Sequence, residues 1–223
     1  MSRMILNSHN IEFGYELISV LPYAYHLHKA GILDETISGI DTKCLYYFSK
    51  KHTENKEKRS FYNNKFVNAK NINIHKPDLN LTEWCPPPLA EKYKSEIDEQ
   101  LVIICNRYNV EWSVKPINFF SLDDLRKIFT LLKDFKIIYI HFQNLTKYHD
   151  NAEMLDLGDY EMIKNEFPDV QILQEINTTK TINELQLELF GRCRKFITMN
   201  GGHSILASYF GGENIIYSKY GSP

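Results

Sequence analysis

Apolar and polar residues alternate along the second half of the chain in a pattern typical of an α/β fold. Short apolar runs of strand length occur at residues 101–105, 137–142, 170–176, 196–199 and 214–217. Stretches with helical spacing of apolar residues lie between them, at residues 121–132, 158–167, 181–194 and 203–210. Strands that alternate with helices in this way predict a parallel, doubly wound sheet, whose ligand crevice lies at the carboxyl ends of the strands.

The first half shows a less regular version of the same pattern. A short strand at residues 4–6 precedes a helical pattern at residues 15–30, which Gly31 ends. Pro22 falls inside this pattern and predicts either a kink or a helix start. The apolar stripe of the helix consists of Leu17, Leu21, Ala24 and Leu27.

The remainder of the first half has weaker signals. Strands are predicted at residues 44–48 and 72–74, and a helix is predicted to begin at Leu89 and to reach residue 97. Two polar stretches, residues 34–42 and 49–59, are predicted to be a connection and a surface loop.

The chain therefore divides near Gln100 into two small Rossmann-like α/β domains. Residues 1–99 form the first and residues 100–223 form the second, with the prolines at positions 86, 87 and 88 in the connector. The two parallel-sheet domains are expected to face each other across a cleft, where a ligand would bind.

Composition narrows the class of protein. A net charge of −2 gives no electrostatic sign of a nucleic-acid partner. The chain has no apolar stretch long enough for a membrane span, and its first residues lack the apolar core of a signal peptide. The four cysteines are far apart and show no metal-ligand spacing, which favours buried thiols in a reducing compartment. We expect a cytoplasmic protein.

The most informative stretch is Asn200-Gly201-Gly202-His203-Ser204, between the fourth strand of the second domain and its last helix. A helix that opens on glycines and a serine offers backbone N–H groups and the helix dipole to an anion such as phosphate. Small residues are also what any short loop between a strand and a helix requires. The motif alone leaves both interpretations open.

Two motifs together resemble the GT-B class of glycosyltransferases. The segment from Phe13 through Gly14, Tyr15 and Glu16 to Pro22 is similar to the Gly-Asp-x-x-x-x-x-Pro opening of heptosyltransferase-type enzymes. The Asn-Gly-Gly-His-Ser motif, followed by Phe-Gly-Gly at residues 210–212, is similar to their Asp-x-Gly…His-x-Ala…Gly segment. It is also similar to the Gly-Gly-x-Ser of fucosyltransferase-like proteins. The arginine-rich segment of protein O-fucosyltransferases is absent.

This resemblance implies a UDP-, GDP- or dTDP-linked sugar as donor, held by the second domain, and a glycan or other hydroxyl acceptor, held by the first. The implied donor contacts are Asn106, Arg107, Tyr108, Gln174, Glu175, Asn183, Glu184, Asn200, Gly201, Gly202, His203 and Ser204. Arg107 would neutralise the leaving diphosphate. The chain lacks an Asp-x-Asp pair, so neither a metal nor another cofactor is expected. Two of these residues have another explanation that needs no ligand. Arg107 would form an ion pair with Glu111, and Glu184 would cap a helix.

An inverting transfer needs a base that takes the proton of the acceptor hydroxyl. The resemblance points to Glu16, and His52 and Glu54 are the alternative bases. Acceptor contacts are expected from Gly14, Tyr15, Lys51, Glu54 and Arg59. Glu16 is also explained by the dipole at a helix start, and His52 by a solvated charged loop.

Two other functions stay open at this level. A sugar-nucleotide epimerase of the same fold would use acid and base groups such as His203, Glu111 and Asp41. A non-catalytic nucleotide-binding or sugar-binding module is the second. GT-B chains usually end with a helix that crosses back to the first domain, so its absence from the sequence predicts further domains in a longer polypeptide.

Overall fold

The computed structural model describes residues 3–9, 11–57, 85–110, 115–143 and 153–219. These residues form two compact units, with the chain passing from one to the other between Leu89 and Ala90, before the boundary predicted at Gln100. The assignment of acceptor and donor to the two units stays a prediction. The strand predicted at residues 72–74 and the side chains of Arg59 and Glu111 lie outside the described residues.

The N-terminal unit is built on a parallel sheet with the order β1-β2-β3. Its strands are β1 (Met4–Asn7), β2 (Leu33–Gly39) and β3 (His52–Asn55). Between β1 and β2 the chain forms α1 (Phe13–Tyr15), a π-helical turn (Glu16–Val20) and α2 (Leu21–Lys29). This arrangement is the parallel α/β unit that the sequence predicts.

The helix between β1 and β2 confirms the predicted apolar stripe. Leu17, Leu21, Ala24 and Leu27 are all at most 3% exposed. Pro22 lies in the first turn of α2, which continues directly from the π-helical turn, so the helix departs from regular α geometry just before the proline. Gly31, with φ of 72°, follows the end of α2.

The strand predicted at residues 44–48 is wrong, since residues 43–48 form turns. The strands that follow β1 are β2 and β3, which lie in the stretches predicted to be a connection and a surface loop. Hydropathy missed β2 because its buried residues include Glu35, Thr36 and Ser38. Glu35 accepts hydrogen bonds from Lys51 at 2.8 Å and Thr53 at 2.7 Å, which offset its burial.

The C-terminal unit confirms the predicted doubly wound sheet. Its parallel strands have the order β10-β9-β4-β6-β8. The strands are β4 (Leu101–Cys105), β6 (Lys136–Ile140), β8 (Gln171–Ile172), β9 (Lys195–Met199) and β10 (Glu213–Tyr217). The helices are α4 (Leu122–Leu131), α5 (Asp159–Glu166), α6 (Ile182–Arg192) and α7 (Gly202–Phe210).

Local signals explain where these helices begin. The hydroxyl oxygen of Ser121 accepts a hydrogen bond from the backbone N–H of Asp124, and that of Thr181 accepts one from the N–H of Glu184. The unit's buried core includes Val102, Ile104, Phe120, Leu125, Phe129, Ile137, Tyr139, Met162, Ile163, Val170, Ile172 and Met199.

Three details of the C-terminal unit differ from the prediction. The third strand is shorter, because a 3-10 turn (Leu173–Glu175) follows β8 directly. The helix that begins at Leu89 ends at Lys92, and this helix is α3 (Leu89–Lys92). A short antiparallel pair, β5 (Asn109–Val110) and β7 (Glu153–Met154), has no counterpart in the predicted pattern.

The strand order locates the edge at which a ligand would bind. The chain runs from β4 to β6 and β8 on one side, and then crosses from β8 to β9 and β10 on the other side of β4. In sheets of this kind the ligand crevice lies outside the carboxyl ends of the strands at which the order reverses. Those strands are β4 and β9.

Candidate functional site

Two of the predicted donor-binding loops meet at this edge. Arg107 follows β4 and Gly201 follows β9, and the two strands are parallel neighbours. Nη1 of Arg107 lies 3.1 Å from the position that a β-carbon on Gly201 would occupy. Gly201 has a φ of 146°, a conformation that other residues rarely adopt. The absence of a side chain at position 201 therefore lets the guanidinium approach the start of α7.

The first turn of α7 is closed by its own residues. Ser204 Oγ accepts from the Gly201 N–H at 3.2 Å and donates to the Gly201 carbonyl at 2.8 Å. The hydroxyl predicted to contact a phosphate is thus already used within the turn. The N–H groups of Ser204 and Ile205 both donate to the Gly201 carbonyl, so the turn's remaining donors belong to Gly202 and His203. Asn200 is exposed, and its backbone N–H donates to Tyr217.

His203 is half-buried at this helix start. Its ring packs against Phe142, with 5.5 Å between the ring centroids. Within the part of the chain that the structure describes, its Nε2 is enclosed and takes no hydrogen bond. Burial lowers the pKa of His203 to about 4, and the neighbouring Arg107 and His141 contribute to this shift. The imidazole is neutral at pH 7.

A buried network beside this turn was not predicted from the sequence. His141 directly follows β6, and its Nδ1 lies 2.6 Å from Oδ2 of Asp159, the first residue of α5. Asp159 also accepts hydrogen bonds from the hydroxyl of Tyr139 and the amide of Gln143, each at 2.5 Å. Burial opposes the ionisation of Asp159, but the hydrogen bonds from His141 and Tyr139 outweigh it and lower the pKa of the carboxyl. Asp159 is therefore a carboxylate.

One signal in the sequence could have found His141. It occupies the first position after an apolar strand, at the edge where the carboxyl ends of all parallel strands meet. Asp159 is harder to find, because an acidic residue at the first position of a helix is already explained by the dipole.

The other predicted donor residues near β4 have structural partners. The amide of Asn106 donates to the Phe120 carbonyl and to the Tyr139 hydroxyl, and its oxygen accepts from the Phe120 N–H. Asn106 therefore holds the chain that leads into α4. Tyr108 packs edge-on against Phe119, with 4.7 Å between the ring centroids.

The remaining predicted donor residues are divided between two places. Gln174 lies beside the His141 network, because its Oε1 accepts from the Gln143 N–H at 3.1 Å and from the Tyr160 hydroxyl. Glu175 is exposed and pairs with Lys164. Asn183 and Glu184 are half-buried in the first turn of α6, where the N–H of Glu184 donates to the capping Thr181.

The predicted base Glu16 is fully buried in the N-terminal unit. Its Oε1 accepts hydrogen bonds from Ser8 at 3.0 Å, from Tyr46 at 2.9 Å and from Ser38. These hydroxyls come from the end of β1, from β2 and from the turn before β3. The carboxylate therefore joins these segments at the carboxyl edge of the small sheet, an arrangement that supports a structural role.

The alternative base His52 is half-buried on β3 and also has local partners. Its Nδ1 lies 2.8 Å from the Thr36 hydroxyl and its Nε2 3.1 Å from that of Thr42. Thr42 donates its hydroxyl proton to the Gly39 carbonyl at 2.6 Å, so the His52 Nε2–H donates to Thr42 and Nδ1 accepts from Thr36. Burial lowers the pKa of His52, although Glu54 and Glu16 oppose that shift.

The predicted acceptor contacts also have local interactions. Glu54 accepts from the N–H groups of Thr42 and Lys43, each at 3.0 Å. Lys51 is exposed and forms the ion pair with Glu35 on β2. Gly14 is buried in α1, and the N–H of Tyr15 donates to the side chain of Glu12.

Two features are absent from the ranges that the structure describes. No cluster of three or more histidine, cysteine, aspartate or glutamate side chains with the geometry to hold a metal ion occurs there. None of the helices in those ranges combines the length and the apolar composition that a bilayer span requires.

Comparisons of the chain with protein-family models, with curated protein sequences and with solved structures give no significant match.

Proposed function

We propose that the protein is a glycosyltransferase whose C-terminal unit binds the diphosphate of a nucleotide sugar. The observation that carries the proposal is the contact of Arg107 with Gly201 at the edge of β4 and β9. It places a permanent positive charge beside a helix start in a sheet of doubly wound topology. Arginine and helix N-termini are both preferred partners of phosphate groups.

The surroundings of this contact favour an anion further. The amides of Gly202 and His203 lie in the first turn of α7, where the positive end of the helix dipole adds to the charge of Arg107. His203 is held neutral while no anion is present, because burial and the neighbouring positive charge disfavour its protonation.

Such a site assists transfer by stabilising the leaving group. As the bond between the anomeric carbon and the phosphate oxygen breaks, its electron pair stays on the diphosphate, and Arg107 together with the helix start stabilises the added charge. The acceptor hydroxyl attacks the anomeric carbon and gives up its proton to a base. We propose the N-terminal unit as the acceptor side, with Glu16 and His52 as the bases to test.

Binding of nucleotide sugars tests the donor half of this proposal. UDP-glucose, GDP-mannose and dTDP-glucose are titrated into the wild type and into Arg107→Gln by calorimetry. We expect one nucleotide to bind and Arg107→Gln to weaken it by about tenfold to a hundredfold, as for a charge-assisted hydrogen bond to phosphate. Lys115→Gln, which removes an exposed charge on the same unit, serves as the control.

Product analysis tests the transfer. Sugar found on an added hydroxyl acceptor supports the glycosyltransferase. Release of an isomeric nucleotide sugar without any acceptor would favour an epimerase, and binding without any product would favour a non-catalytic module. Equal affinity of the wild type and Arg107→Gln for every nucleotide that binds would contradict the proposed site.

A further inference from the structure

The orientation of the His141 ring is fixed on one side by Asp159. The side chain of His141 is 2% exposed and that of Asp159 is fully buried, and 2.6 Å separates Nδ1 from Oδ2. The carboxylate is itself held by Tyr139 and Gln143, so neither partner is free to turn. A histidine held in this way presents its other nitrogen in a defined direction.

The second ring nitrogen of His141, Nε2, has an unusual environment. Because Asp159 is a carboxylate, it accepts the Nδ1–H of His141, and Nε2 is left to interact elsewhere. Nε2 is enclosed and has no hydrogen-bond partner among the residues that the structure describes. Burial of a polar atom without a partner costs free energy, so such an atom in a native fold points to a ligand that supplies the missing bond.

The groups near this nitrogen are those of the Arg107 and Gly201 contact. His141 follows β6, and β6 is next to β4 in the sheet. The residue after His141, Phe142, packs on the ring of His203 in the first turn of α7. Arg107 and His141 both lie close enough to His203 to disfavour its protonation.

We propose that His141 is a contact residue of the diphosphate site, that it binds a phosphate oxygen through Nε2 as an imidazolium, and that Asp159 is its positioning residue. The inference rests on the proposed function for the identity of the anion. It adds a second charged donor that comes from β6, on the side of β4 opposite to β9.

The proposed contact links binding to one proton. An imidazolium donates a charge-assisted hydrogen bond to phosphate, whereas the neutral ring with Nδ1–H bonded to Asp159 has only an acceptor at Nε2. Where the free ring is neutral, binding therefore takes a proton from solvent onto Nε2, and no covalent bond is made or broken. The titratable and charged groups around the ring are Tyr139, Asp159, Tyr160, His203 and Arg107.

The test follows the affinity for a nucleotide sugar between pH 5.5 and pH 8.5 by calorimetry. The diphosphate of a nucleotide sugar is a diester that does not titrate in this range, so a pH dependence reports on the protein. We expect the affinity of the wild type to fall as the pH rises, by up to about tenfold per pH unit, because binding takes up one proton. His141→Gln is expected to bind about tenfold or more weakly at low pH and to lose this dependence. His203→Gln, which keeps the Asp159 pair, is expected to retain it.

Asp159→Asn tests the positioning role. An asparagine still accepts from Nδ1–H but has no negative charge to stabilise the imidazolium, so binding at low pH is expected to weaken while the protein stays folded. In ¹⁵N spectra of histidine-labelled protein, the Nε2 signal of His141 is expected to move toward the protonated position when the nucleotide sugar binds. His28→Gln, in the N-terminal unit, controls for the loss of a ring elsewhere.

The outcomes separate this inference from the proposed function. A nucleotide sugar that binds with the same affinity and pH dependence in wild type and His141→Gln overturns the inference and leaves the proposed function standing. If no nucleotide sugar binds, the proposed function fails, and the affinity for inorganic pyrophosphate is measured in the wild type and in His141→Gln over the same pH range. Weaker binding of pyrophosphate by His141→Gln supports the anion contact, and equal binding by the two proteins overturns the inference.

Discussion

Arg107 occupies the space that a side chain on residue 201 would need, because its Nη1 lies 3.1 Å from where a β-carbon on Gly201 would be. The two residues belong to loops that are far apart in the sequence and follow neighbouring strands. The contact makes the glycine a requirement of the site for two reasons, its φ of 146° and the guanidinium beside it.

Gly201→Ala tests both reasons together. We expect it to destabilise the protein by about 1–3 kcal/mol, because an alanine at this φ is strained and its methyl group displaces the guanidinium. Nucleotide-sugar binding is expected to be lost. Chemical denaturation gives the stability and calorimetry the affinity.

Gly31→Ala is the matched control for Gly201→Ala. Gly31 also has a positive φ, 72°, but a β-carbon there meets nothing within 4 Å. It is expected to cost about 1 kcal/mol of stability and to leave binding unchanged. Wild-type affinity in Gly201→Ala would remove Gly201 from the site.

Glu16→Gln separates a structural role from a catalytic one. Glu16 is the buried acceptor of hydrogen bonds from Ser8, Ser38 and Tyr46. The substitution is therefore expected to lower the free energy of unfolding by about 2–3 kcal/mol. Turnover per folded molecule, measured well below the midpoint of thermal unfolding, is expected to change little. Glu57→Gln, at an exposed position of the same unit, is the control.

The opposite result would restore Glu16 as the base. A fall in kcat of about a hundredfold with an unchanged unfolding midpoint is what the loss of a general base produces. His52→Gln is measured in parallel, and a loss of turnover confined to that variant would identify His52.

His203 is expected to make the fold less stable in acid. Its pKa is about 4 in the folded protein and about 6.5 in an unfolded chain, so the unfolded state binds the proton more readily between these values. Stability attributable to this group is complete above about pH 6.5 and is lost as the pH falls toward 4, by about 2 kcal/mol between pH 7 and pH 5.

Urea unfolding at pH 7 and pH 5 measures this effect. His203→Gln should reduce the loss of stability between the two pH values, whereas His28→Gln should leave it near that of the wild type. An equal pH dependence in wild type and His203→Gln would show that the ring is accessible to solvent as in an unfolded chain.

Gly191→Ala tests the packing of α6. A β-carbon at this position would lie 2.1 Å from the Tyr93 carbonyl oxygen, closer than atoms can approach. Backbone atoms must then move, and we expect a loss of stability of about 3 kcal/mol or more. Gly158→Ala, where a β-carbon meets nothing within 4 Å, should cost much less. Similar losses in the two variants would show that the backbone at Tyr93 moves aside at little cost.

The hydrophobic pattern determined the C-terminal unit almost completely. Its central strands β4 and β6 are buried on both faces and read as continuous apolar runs, and its helices begin at residues that cap them locally, such as Ser121 and Thr181. Alternation of these elements then leaves few topologies for a parallel sheet. In the N-terminal unit the same pattern predicted β1 and the apolar stripe of the helix but failed at β2, which buries Glu35, Thr36 and Ser38.

The sequence by itself determined that Arg107 and Gly201 would lie at one edge of one sheet, because each directly follows a strand of a parallel set. Only the tertiary structure decided which polar groups already have a hydrogen-bond partner in the fold. Ser204 is already bonded to Gly201 and Asn106 to Phe120, whereas Nε2 of His141 has no hydrogen-bond partner among the described residues. Hydrogen bonds form between groups that the fold brings together, such as His141 and Asp159, and no local pattern of residues encodes that pairing.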